Sequence, residues 1–192
     1  MKIKLMNIPA FTLLLALLFT GCQSAEDLPP APPLDKRFRT SSPSRLYFNN
    51  IRSTSYKLTE LPKQYINTYQ LATWPDTTAS PYLAATIIDN WLHDQAYIKL
   101  EWRSIAQQVS PPWRLRIQWN DQSDTLTLDS DRWPDHYELA QDIYPLLAKN
   151  NASFQLLLSD SSSLLVLEDA STRRLFRTTW QDYSKLTDSD KK

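Results

Sequence analysis

Glycine is almost missing from this chain: the single example among 192 residues is Gly21, so nothing after it can rely on a residue without a Cβ. Loops that cradle phosphate need glycine for close approach of backbone amides. The strained turn that exposes a serine nucleophile needs glycines on both sides. Both arrangements are excluded. Turns that require a positive φ must use other residues, and Asn and Asp tolerate that region best. The pairs Asn49-Asn50, Asp89-Asn90, Asn120-Asp121 and Asn150-Asn151 are the candidates. Cysteine is equally scarce. A lone Cys22 permits no intramolecular disulfide and no thiolate zinc site. No excess of charge exists either, with 21 basic residues against 21 acidic ones. Nucleic-acid binding therefore lacks electrostatic support, and no cofactor motif is present.

What the chain does have begins at its amino terminus. Lys2 and Lys4 give a positive start, and an apolar run follows from Ile8 to Phe19. That run is short for a membrane span and suits the hydrophobic region of a secretory signal. It ends in Phe19-Thr20-Gly21-Cys22, which resembles the lipobox of bacterial lipoproteins, with Phe19 where that family prefers leucine. The resemblance implies cleavage before Cys22, a diacylglycerol on its sulfur, and often a further acyl chain such as palmitate on the new amino group. The lipid bilayer is then the first partner. Gln23 stands where aspartate would imply retention at an inner membrane, so the resemblance implies an outer-membrane anchor facing the periplasm. The predicted organisation is a signal peptide over 1–21, a lipidated cysteine with a Pro-rich linker over 22–44, a globular domain over 45–187 and a frayed tail over 188–192. The linker carries Pro29, Pro30, Pro32, Pro33 and Pro43, and such segments extend by ~3.1 Å per residue.

Strict alternation in Trp113-Arg114-Leu115-Arg116-Ile117-Gln118-Trp119 predicts a half-buried antiparallel strand, with Leu126 and Leu128 on a returning one. Ala96 to Trp102 alternates in the same way. Tyr47 to Leu58 and Ile66 to Leu71 read as two earlier strands. Phe154 to Leu158 and Leu164 to Leu167 form a hairpin around residues 159–162. Helices are predicted over Asp135 to Lys149, despite Pro145, and over Ser171 to Leu186, where Leu175, Phe176, Trp180 and Tyr183 share a face. Residues 81–94 fit a helix started by Ser80-Pro81 or a strand favoured by Thr86-Ile87-Ile88, and the strand is preferred. The sum is a single α+β domain, an antiparallel sheet with two or three helices packed on one side. Trp74-Pro75-Asp76 and Trp133-Pro134-Asp135 echo each other, which ordinary turn chemistry explains more simply than duplication.

Only His93 and His136 can shuttle protons near neutrality, and both read as turn or helix-start residues. The acidic stretch Asp129 to Asp135 lacks the glycine and terminal glutamate of a helix–loop–helix calcium site, so it reads as a loop leading into a helix. No catalytic residue, metal site or cofactor is assigned; a hydrolase built on carboxylates alone is the enzyme class left open. Seven tryptophans are the richest remaining feature. Trp102, Trp113 and Trp119 fall on inward strand positions, whereas Trp74, Trp91 and Trp133 lie near turns and are the candidates for binding. The expectation is a non-enzymatic envelope lipoprotein acting as an accessory or assembly subunit through protein–protein contact. The alternative is a binding module for cell-wall glycan or another periplasmic ligand.

Overall fold

A computed structural model describes residues 35–75, 81–105, 109–149, 151–158, 162–187 and 189. They belong to one compact unit spanning Asp35–Lys192. Helix α1 (Ser42–Tyr47) continues through a π-helical turn (Phe48–Arg52) and a 3-10 turn (Ser53–Ser55) into strand β1 (Tyr56–Leu61). Strands β2 (Ile66–Leu71), β3 (Tyr82–Asn90) and β4 (Gln95–Arg103) complete an antiparallel sheet of order β1-β2-β3-β4. A second four-stranded antiparallel sheet, of order β6-β5-β7-β8, comprises β5 (Trp113–Trp119), β6 (Gln122–Leu128), β7 (Ser153–Leu157) and β8 (Ser163–Val166). Helix α2 (Trp133–Leu146) links β6 to β7, and α3 (Ala170–Leu186) closes the chain. The domain is α+β and antiparallel throughout, and its strands divide between two sheets.

The segment expected as a strand from Tyr47 is helical until Ser55, for an identifiable reason. Ser41 and Ser44 form a capping box, with each side chain accepting from the other's backbone N–H, and Pro43 sits in the first turn where its missing donor costs nothing. Residues 81–94 form β3 and its turn, as preferred. Pro145 falls in the last turn of α2, near enough to the end that the helix simply stops.

The last helix covers one face of the first sheet. Helix α3 packs on β3 and β4, and α2 bridges β4 and β6. Phe48 reaches the same face to meet Tyr56 and Tyr69. Leu83, Ile87 and Ile98 of the first sheet and Leu115, Ile117 and Phe154 of the second are fully buried, each worth roughly 1.5–3 kcal/mol against an exposed side chain. The helices are also tied down by polar bonds. Asp182 of α3 is buried and accepts from Arg52 Nε and Nη2 at 2.8 Å each and from the Tyr56 hydroxyl at 2.7 Å. The two Trp-Pro-Asp triplets do not mark a repeated topology: the β3–β4 hairpin adds to β2, whereas the β7–β8 hairpin follows a helix and adds to β5.

Among the described residues, none of them glycine, five take positive φ: Tyr65, Asp94, Ser104, Asn120 and Leu167, between 50° and 60°. Only Asn120 belongs to the expected pairs. Asn49 and Asn50 lie in the π turn and Asp89 and Asn90 in β3, while Asn150 is outside the described residues. Leu167 pays a left-handed cost of ~1–2 kcal/mol. Its N–H donates to the Pro81 carbonyl at 2.9 Å, its own carbonyl accepts from Arg173 Nε, and its side chain is wholly buried.

Candidate functional site

The turns that join β1 to β2 and β3 to β4 lie at the same end of the first sheet, because Leu61 pairs with Ile66, Ile66 with Asn90, and Asn90 with Gln95. Four large apolar side chains stand out there. Leu61, Tyr65, Trp91 and Leu92 are between 39% and 52% exposed. Tyr65 and Trp91 meet edge to face, with ring centroids 5.1 Å apart, and the Trp91 N–H donates to the Tyr65 carbonyl at 3.2 Å. The positive φ at Tyr65 and Asp94 turns the chain back at each hairpin. Other exposed apolar residues, Leu46, Tyr47 and Ile51, lie along α1 and the π turn.

Beneath this tip Arg45 holds the β3–β4 turn by both ends. Its guanidinium donates to Asp89 Oδ1 at 3.1 Å on one side of the turn and to Asp94 Oδ1 at 2.7 Å on the other, and also to the Thr40 hydroxyl at 2.8 Å. Asp89 is buried. Burial pushes its carboxyl above the ordinary 3.8, and Arg45 counteracts the shift. The turn between these two acids carries Trp91 and Leu92, so Arg45 presents them on a fixed frame.

The three tryptophans singled out from sequence are not brought together. Trp91 is exposed at the tip. Trp74 is buried, stacked on Tyr82 at 5.2 Å with rings within 10° of parallel, and belongs to the core. Trp133 is half-buried and stacks on Tyr97, on the opposite face of the sheet from α3. Of the three assigned inward, Trp113 is buried, with its Nε1 donating to the Val109 carbonyl. Trp102 and Trp119 are half-buried. Tyr65, Leu61 and Leu92 were missed. A hydrophobic tyrosine-tryptophan pair on two separate turns becomes visible only once the pairing of β2 with β3 is known. Cys22 lies outside the described residues.

His93 is exposed on the tip turn. His136 starts α2 but is completely buried, packed near Trp113 and Trp133. Its Nδ1 accepts from the Leu100 N–H on the free edge of β4, at 3.4 Å, so Nε2 carries the proton and donates to Asp131 at 2.8 Å. Both ring nitrogens are engaged within the fold, and the imidazole serves as a seal on a strand edge. The acidic stretch is committed in the same way: Asp135 accepts from Ser130 and Arg132. Among the described residues no group of three or more His, Cys, Asp or Glu is placed to hold a metal.

Burial lowers the basicity of His136 below the ordinary 6.5, more than Asp131 raises it. An unfolded chain therefore takes up this proton at a higher pH than the folded one. Stability is expected to be level above pH 6.5 and to decline as the pH falls from there through the depressed value. Urea midpoints between pH 8 and 5 measure the slope, which His136→Gln should flatten. An unchanged slope in that variant would assign the effect to another group.

No model of a known protein family matches the chain, and no curated protein or solved structure matches it significantly.

Proposed function

We propose that the protein is an envelope lipoprotein, anchored in the outer membrane through acylated Cys22, facing the periplasm and acting by contact with another envelope protein as an accessory or assembly subunit. The observation that carries this reading is the tip of the first sheet. Trp and Tyr are the side chains most often found at the energetic centre of interfaces, and here the pair projects from two adjacent turns, the one carrying Trp91 clamped by Arg45. Preorganisation of this kind lowers the ordering cost of association. The edge-to-face geometry supports protein contact over glycan stacking at this point, because the two rings form no shared flat platform. The anchor is supported by the Phe19–Cys22 lipobox and the Pro-rich stretch after it. No helix among the described residues is long and apolar enough to cross a membrane.

Crosslinking in the native host, followed by purification of the tagged lipidated chain, tests the reading. One stoichiometric partner is expected. Trp91→Ala combined with Leu92→Ser should weaken its retention about thirtyfold, the effect of losing one hot-spot residue, while the thermal midpoint of the domain stays in place. Full recovery of the partner by this variant would move the contact surface elsewhere. Absence of any partner would overturn the accessory-subunit reading itself.

A further inference from the structure

The face of the first sheet opposite α3 carries a second, chemically different feature. Registered pairs place Lys57 beside Gln70, Thr59 beside Thr68, Thr68 beside Ile88 and Thr86 beside Lys99, all on this open face. They line a trough of about 470 Å³, within the size range of small-ligand sites. Its floor is rich in hydroxyl and amide groups, from Thr68, Thr86, Gln64 and Gln70, and Trp133 forms one wall. Leu61, Ile66, Ile88 and Trp133 make up its apolar lining and the other side chains are polar or charged, so an acyl chain would leave these polar groups without partners, whereas a saccharide can satisfy them while stacking on the indole.

The end of the trough near Lys57 and Arg103 opens into a smaller pocket of about 130 Å³, also lined by Gln70, Trp74 and Tyr82. Taken together, the trough and this pocket carry an excess of positive charge suited to an anion. Three cations, Lys57, Lys99 and Arg103, face one carboxylate, Glu101, which bonds Lys99 at 3.2 Å and one Arg103 nitrogen at 2.7 Å. Lys57 makes no ion pair among the described residues, and most of the Arg103 donors are left over. Trp74 also lines the pocket and is 94% buried, and its indole Nε1–H has no acceptor among the described residues.

We propose that this trough binds an acidic saccharide: its carboxylate sits between Lys57 and Arg103, and its rings lie along the threonine floor against Trp133. The anion end of the site lies away from the apolar tip, which the trough meets at Leu61, and binding there does not depend on a protein partner.

Calorimetric titration of the purified domain tests it with a galacturonate hexamer, the fully methyl-esterified hexamer, maltohexaose and a hexaglutamate peptide. The free acid is expected to bind, with the ester and maltohexaose weaker by at least roughly tenfold, the loss of one charge-assisted contact. Lys57→Glu and Arg103→Glu should each weaken the acid by a similar factor with an unchanged melting profile, and Trp91→Ala should leave it unaltered. Absence of binding, equal binding of acid and ester, or retention in the Lys57→Glu variant overturns the proposal. Equal binding of hexaglutamate overturns the saccharide assignment in favour of an acidic peptide.

Discussion

Replacing Arg45 by alanine is expected to cost about 3 kcal/mol of folding stability at neutral pH, because it leaves a buried carboxylate uncompensated. Asp89 is only 3% exposed, and Arg45 is its charged partner at 3.1 Å. The bond to Asp94 contributes far less, since that carboxylate is largely exposed and a surface pair is worth ~0–1 kcal/mol. For a domain of this size the loss corresponds to a fall in melting temperature of roughly 6–12 °C. The sign of the pH dependence identifies the cause. Asp89 binds its proton more tightly in the folded chain than in the unfolded one, so its contribution is most favourable below pH 3.8 and declines as the pH rises through the raised folded value. Removing Arg45 raises that value further. The deficit of the variant should therefore be small in acid and reach its full size near neutrality. Urea denaturation of both proteins at pH 4 and pH 7 measures it. A deficit of equal size at both would be incompatible with a charge effect at Asp89. The pair Arg45→Met with Asp89→Leu should recover most of the loss, since apolar replacement of both partners is often neutral.

Replacing Cys22 by alanine is expected to move the protein from the membrane fraction to the soluble one. Each buried acyl methylene contributes ~0.8 kcal/mol, one chain gives only marginal binding, and two or more hold a protein stably. Charge offers no substitute: once Lys2 and Lys4 are removed with the signal, 19 basic residues face 21 acidic ones, so an anionic surface would not attract the chain. Fractionation with and without high salt, together with incorporation of an alkyne-tagged palmitate, reads the outcome directly. A variant that still sediments with membranes, or a parent chain that takes up no label, would remove the lipobox interpretation.

Much of the fold follows from periodicity. Strands β4 and β5 alternate without interruption, and α3 carries an unbroken apolar face, so each was legible from a single segment. The stretch from Ser42 to Ser55 was not. Tyr47, Phe48 and Ile51 look like strand residues by composition, yet Ser41 and Ser44 with Pro43 start a helix, a local signal that outweighs the average propensity. The division into two sheets has no local signature, because it depends on whether β7 pairs with β5 or with β4. The candidate sites share that limitation. Nearness to a turn did not sort the tryptophans: Trp74 sits by a turn but stacks into the core, while Trp91 projects. Lys57, Lys99 and Arg103 are ordinary outward cations on separate strands, and only the β1-β2-β3-β4 order gathers them over one trough.

The way the chain enters the domain has a mechanical consequence. Arg39 bridges to Gln95, the Thr40 N–H donates to the Asp94 carbonyl, and the Ala96 N–H donates to the Phe38 carbonyl, each bond at 2.8 Å. Phe38 is also wedged between Tyr97 and Tyr137, and the Tyr183 hydroxyl donates to the Arg37 carbonyl at 2.9 Å. A protein tethered by its amino terminus would feel any drag on that tether first at these residues. Tension would have to strip this short clasp before it could tug on β1 or on the π turn. Any such load would fall first on the outer edge of β4, leaving β1, at the far side of the sheet, the last strand to bear it.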